Sequence, residues 1–219
     1  MQIANKMEEA WLVSYGIDQD HQVNGKVALE DLSAVEYLPL YYTRDNGEFF
    51  ITRMKDWLLR TDTTVKGISM PANLTIFKNL KDLRVSFSTV IDIRDLSKLQ
   101  VLEIGRSPEQ ITSPPKSVNG DMDFSGSPEL RKLTYHGIGK VFNLTRNSNL
   151  EELQLWSPDL SVLDLSNNSK LTSVDLEYSK KLEVIYVSEE TLKRIQEATS
   201  YTDIQKWKKP QDAFWKLKG

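Results

Sequence analysis

The chain has two histidines, His21 and His136. They lie far apart, and neither has a second ligand at a metal-binding spacing. There is no cysteine, which removes disulfides, thiolate metal sites and a cysteine nucleophile together. The run HGIGK, residues 136–140, offers glycines and a lysine. It lacks the phosphate-loop spacing and the serine or threonine that should follow the lysine. Asp175 and Glu177 are carboxylates two positions apart. A pair flanking a glycosidic bond would serve hydrolysis. On a strand, however, residues two apart share a face, where solvated charge is the ordinary explanation. No set of residues reads as catalytic, and the chain is not expected to be an enzyme.

The segment from Asp20 to Asp31, DHQVNGKVALED, has oxygen donors at the spacing of an EF-hand calcium loop. Asp20 stands first, Gln22 third, Asn24 fifth and Asp31 last, with Gly25 at the sharp turn and Val27 at the apolar position. Calcium is a hard cation that wants carboxylates, and the last ligand is usually a bidentate glutamate. Here the third position is an amide and the last is the shorter aspartate. The segment reads as a loop that keeps its turn without the metal, with weak calcium binding by Asp20, Gln22, Asn24 and Asp31 as the sharper alternative. No other cofactor is expected. LSAVEYL, residues 32–38, reads as the exit helix, and Glu8–Tyr15 as a short helix ending at Gly16.

The elements that must carry any surface chemistry are set by leucines. Leu150, Leu153 and Leu155 define the spacing L-x-x-L-x-L. It returns at Leu160, Leu163 and Leu165, at Leu171, Val174 and Leu176, and at Leu182, Ile185 and Val187, with starts 10, 11 and 11 residues apart. The full unit is 21 residues, a period typical of solenoids. One such unit cannot bury its own apolar edge. Its apolar side chains contribute about 1.5–3 kcal/mol each, whereas ordering each residue costs about 1.5 kcal/mol. Stacked units share a core and succeed together. Earlier starts are Leu80, Leu99 and Leu130. The last gap carries an insertion near residues 105–129, whose prolines and glycines mark loop. The expected organisation is an N-terminal cap over residues 1–70, repeats over 71–188 and a C-terminal helical cap over 189–219. Within the first, Asp45-Asn46-Gly47 suggests a hairpin, RMKDWLLR (53–60) a helix, and Trp57 a core residue. In the last, Ser188 is the expected N-cap of a helix over Glu189–Ala198.

L-x-x-L-x-L followed by a return segment such as LSVLDLSNNSK resembles the leucine-rich repeat family. The alternation of 10 and 11 residues, the calcium-loop-like segment before the repeats and the C-terminal helix with Trp207 are similar to its bacterial surface members. The resemblance implies an α/β solenoid: a short right-handed coil with parallel strands on a concave face and helical caps at both ends. It also implies a cell-surface or extracellular location and a protein or glycan partner. The chain departs from the family at the ninth position of each unit, usually asparagine. Counted from the starts above, that position holds Ser88, Ser107, Ile138, Pro158 and Ser179, so the asparagine ladder is expected to be weakened.

Positions three, five and seven of each unit should face the concave side, a mildly acidic surface with five acids and two bases. Candidate binding residues there are Arg84, Lys132, His136, Glu152, Gln154, Trp156, Asp175 and Tyr186. Tryptophan, tyrosine and arginine dominate binding hot spots. Trp156, Tyr186 and Arg84 therefore lead, against the alternative of scattered exposed aromatics.

Composition narrows the partner. Among 219 residues, 39% are hydrophobic and 27% charged, the balance of a globular chain. A net charge of −3 argues against a nucleic-acid partner. No apolar run approaches the roughly 20 residues of a membrane span, and the start does not read as a signal peptide. Two further readings stay open: a carbohydrate-active enzyme on a parallel β-helix, and a calcium-dependent adhesive protein.

Overall fold

The computed structural model describes residues 19–20, 22, 24, 26–45, 48–52, 74–85, 93, 95–105 and 122–218. The chain is α/β, with mostly parallel strands and a few short helices. After helix α1 (Leu29–Ser33) come strands β1 (Tyr37–Asp45), β2 (Glu48–Thr52), β3 (Asp82–Val85), β4 (Val101–Ile104), β5 (Met122–Asp123), β6 (Lys132–His136) and β7 (Phe142–Asn143). Then follow β8 (Glu152–Trp156), β9 (Val162–Leu165), β10 (Ser173–Asp175) and β11 (Val184–Val187). Helices α2 (Glu189–Glu197) and α3 (Tyr201–Ile204) precede β12 (Trp207–Lys208) and β13 (Phe214–Leu217).

Strands alternate between two positions. One long sheet has the order β12-β10-β8-β6-β4-β3-β1-β2, and a shorter one has β13-β11-β9, with β5 and β7 paired beside each other. Two positions apart in L-x-L means one face, and that face is inward. In the long sheet Leu83, Leu102, Leu133, Leu153 and Val174 align directly across successive strands. In the short sheet Leu163, Ile185 and Trp215 do so. The leucines, Val174 and Ile185 are almost wholly buried in one cluster, with Trp215 partly buried against it. Each contributes about 1.5–3 kcal/mol by leaving water.

The corners are built from polar residues. At one of them Ser127, Asn147, Asn168 and Thr191 are buried in succession. The Asn147 side-chain amide donates to the carbonyls of Phe124 and Ser127 at 3.0 and 2.7 Å. The Asn168 amide donates to those of Leu144 and Asn147 at 3.1 and 2.8 Å, and the Thr191 hydroxyl to Asn168 at 3.4 Å. A ladder is therefore present, one half-unit away from where the ninth position was counted. Asn168 is ninth from Leu160, in the intervening half-unit. Buried carbonyls at a turn need donors, and an asparagine amide supplies two. At the other corner serine takes this role: Ser179 Oγ donates to the Leu155 carbonyl and accepts from the Ser157 amide, both at 3.0 Å.

Two expectations change at the ends. The segment 32–38 is not one helix: α1 stops at Ser33, and β1 begins at Tyr37. There Leu38 aligns with Leu83, and the Glu36 carbonyl accepts from Lys81 and Asp82. Pairing with a free sheet edge outweighs local helix preference. As expected of a hairpin, β1 and β2 pair antiparallel, with Asp45 opposite Glu48; Asn46 and Gly47 lie outside the described residues. The C-terminal segment is not purely helical. Ser188 caps α2 by accepting from the Thr191 amide, but β12 and β13 then extend the long and short sheets in turn. Glu8–Tyr15, residues 53–60 and Trp57 lie outside the described residues.

Candidate functional site

Alternation that sends leucines inward sends their neighbours outward, so the long sheet carries straight outward rows. One row runs Arg84, Glu103, Thr134, Gln154, Asp175 and Lys208. The row beside it holds Asp82, Val101, Lys132, Glu152 and Ser173. A shallow depression on this face is lined by Lys132, Thr134, Glu152, Gln154, Ser173 and Asp175. Six of the eight expected binding residues, Arg84, Lys132, Glu152, Gln154, Trp156 and Asp175, are thus brought onto one sheet face.

Most charge on this face is matched by its neighbours. Arg84 forms a two-pronged contact with Asp82, Nε and Nη2 each 3.0 Å from a carboxylate oxygen, and lies 4.0 Å from Glu103. Lys132 meets Glu152 at 2.7 Å, and Lys208 meets Asp175 at 3.6 Å. No hydrogen bond ties the Thr134 hydroxyl or the Gln154 amide to another described residue. The face therefore offers neutral polar groups flanked by ion pairs, with Arg84 shared between Asp82 and Glu103 and the Glu177 carboxylate exposed.

At the far end of the strands lies an aromatic group. The rings of Trp156 and Tyr178 have centroids 5.2 Å apart with planes 40° from each other. His136 meets the other side of the indole edge-on at 5.7 Å. Tyr178 is 47% exposed and Trp156 half-buried. The Ser157–Ser179 hydrogen bond joins the residues that follow Trp156 and Tyr178, so a buried clasp sets the two rings. The Ser157 hydroxyl also donates to the Gly139 carbonyl.

Two expected residues are placed differently. His136 is only 3% exposed. It lies between Trp156 and Gly105, whose φ of +121° and missing side chain let His136 come close. A Cβ on Gly105 would lie 2.6 Å from that of His136. Tyr186 belongs to the short sheet, aligned with Asp164 and Lys216, so it does not join Trp156. Alternate half-units supply alternate sheets, and the β11 strand falls in the second set. Sequence reasoning missed Tyr178, which lies past the strand end, and Lys208, which the tail brings onto β12. The only signal for Tyr178 was an aromatic residue beside a corner serine.

The calcium-loop segment is held by its own hydrogen bonds. Asp20 accepts from the Gln22 amide and the Asn24 side chain, both at 2.7 Å. Asn24 accepts from the Lys26 amide at 2.9 Å, and Asp31, in α1, from the Gln19 amide at 3.2 Å. Among the described residues no group of three or more acidic or histidine side chains is arranged to hold a metal ion. Asp175 and Glu177 do not converge as a pair: the Asp175 carboxylate accepts from the Glu177 amide and faces Lys208.

No protein-family model matches the chain, and no curated protein does. No helix among the described residues is long and apolar enough to cross a membrane.

Proposed function

We propose that the chain is a non-enzymatic binding module: a short solenoid of the leucine-rich repeat kind that holds a protein or glycan partner on the outward face of its long sheet. Support for the solenoid comes from in-register leucine rows at the 21-residue period and from side-chain ladders at both corners. The observation that carries the binding face is the juxtaposition of Thr134, Gln154 and Asp175 in one row with the clasped Trp156–Tyr178 pair at its end. Half-exposed aromatics fixed by buried hydrogen bonds lose little entropy on binding. From the family resemblance we place the module at the bacterial cell surface.

The test selects ligands on the immobilised chain from a displayed peptide library and a printed glycan array. Selected ligands should lose binding when Trp156→Ala and Gln154→Ala are combined, and keep it with Val162→Ala on the short sheet. Equal retention on both variants would overturn the face. Surface biotinylation of intact producing cells should label the protein; labelling only after lysis overturns the location.

A further inference from the structure

We propose that the partner is a neutral oligosaccharide, with one sugar ring stacked on the Trp156–Tyr178 platform and the adjoining ring hydrogen-bonded by Gln154 and Thr134. The proposal rests on the binding-face reading above and names its ligand class.

Charge comes first. Arg84, Lys132 and Lys208 each lie beside a carboxylate of the same face. A strongly acidic or basic polymer would have to break these pairs. Between these pairs lie an uncharged hydroxyl and an uncharged amide, each able to donate and accept, with the exposed Glu177 carboxylate two residues beyond Asp175. Sugars present the same kind of group, hydroxyls that do both.

Geometry comes second. Thr134, Gln154 and Asp175 stand on adjacent strands, so about 10 Å separates the outer two at the ordinary strand spacing. That is about the reach of two linked pyranose rings. Trp156 lies two residues beyond Gln154 on the same strand, hence on the same face. A pyranose has an apolar face of C–H bonds and a polar rim. An aromatic ring with polar groups at its side matches both surfaces at once. The Ser157–Ser179 clasp and the His136 contact hold the platform before any ligand arrives.

A polypeptide ligand finds less here. An extended peptide adds to a sheet through an open strand edge and side-chain pockets. Strands β6 and β8 are paired on both sides, and the depression beside Gln154 is mostly polar in its outward lining. Apart from the platform, this stretch has no large aromatic anchor of the kind that dominates protein interfaces.

The experiment is isothermal titration of the full chain with neutral oligosaccharides of the cello, chito, laminari, xylo and manno series, with oligogalacturonate as the acidic comparison. At least one neutral series should bind. Trp156→Ala should weaken it by about tenfold or more, the size of one lost stacking contact of about 1.4 kcal/mol. Tyr178→Ala and Gln154→Ala should weaken it severalfold, and Trp156→Phe should retain most of the affinity. Gln154 and Tyr178 are exposed, so their variants carry the test if Trp156→Ala does not fold. No heat from any neutral series, preference for oligogalacturonate, or affinity unchanged in Tyr178→Ala and Gln154→Ala overturns the proposal. If only library-selected peptides bind and they depend on Trp156, the glycan assignment fails while the binding face stands. If neither class depends on Trp156 or Gln154, both fail.

Discussion

Replacing Asn147 or Asn168 by alanine should destabilise the protein by about 2 kcal/mol, because each removes two hydrogen bonds to buried backbone carbonyls. Asn149 is half-exposed and bonded to the Pro128 carbonyl at 3.3 Å. Its alanine variant should cost less than about 0.5 kcal/mol. Urea melts of the three variants check this, and equal losses would refute a special role for the ladder. At this scale the sequence was readable where burial follows alternation. Leu153, Leu155, Val174 and Leu176 all lie in the core, because a two-residue period admits one inward set. The ladder escapes a count from Leu150 and Leu171, because Asn168 stands ninth from Leu160 in the intervening half-unit. The burial of His136 is not legible in sequence, because alternation says which way a side chain points but not whether its neighbours cover it.

Among elements, the attachment of β13 should depend on pH. Lys218 just after β13 reaches Asp164 on β9 at 2.6 Å. Burial alone would push the Asp164 carboxyl up, but hydrogen bonds from Lys218 and Ser166 outweigh it and hold the group below the ordinary carboxylate value. The same contact with Asp164 raises the Lys218 ammonium. A depressed acid contributes stability above its unfolded value near 3.9, and loses it as pH falls through its lower folded value. A raised lysine contributes below about 10.4, and its share is lost as pH rises through the higher folded value. Thermal melts of Asp164→Asn against the parent should therefore differ most between these limits and converge in strong acid. A constant difference down to the lowest pH would exclude this linkage. That β13 exists at all was not legible. Pro210 interrupts a short basic tail, and two residues are enough for β12 only because β10 offers the unpaired groups that bond to Lys206 and Lys208. Pairing energy that depends on a distant strand leaves little mark on local sequence.

In the molecule as a whole, inner strands draw support from two neighbours and edge strands from one, so opening should be graded. Amides of β8, flanked by β6 and β10, should exchange most slowly. Those of α3, where Tyr201 is 80% exposed and no residue is buried, should exchange faster by roughly 2–3 kcal/mol of opening free energy. Uniform protection measured by hydrogen exchange would contradict this grading. The period itself was plain from the leucines. The division of its two halves between a long and a short sheet was not, since both halves carry the same L-x-x-L-x-L signal. That ambiguity is why Tyr186 and Trp156, on different sheets, carry the same sequence signal.

The corner ladder also makes the chain extensible. Residues 150–170 begin at a core leucine, include Asn168 and end where Leu171 opens the following stretch. A tandem copy spliced after Lys170 would meet the backbone groups that Leu171 and its successors meet now, and would present the same groups to them in turn. Such a graft would lengthen both sheets by a rung and widen the outward face by one glutamine and one tryptophan, but it would set a copy of Pro158 where Ser179 now meets the Ser157 amide.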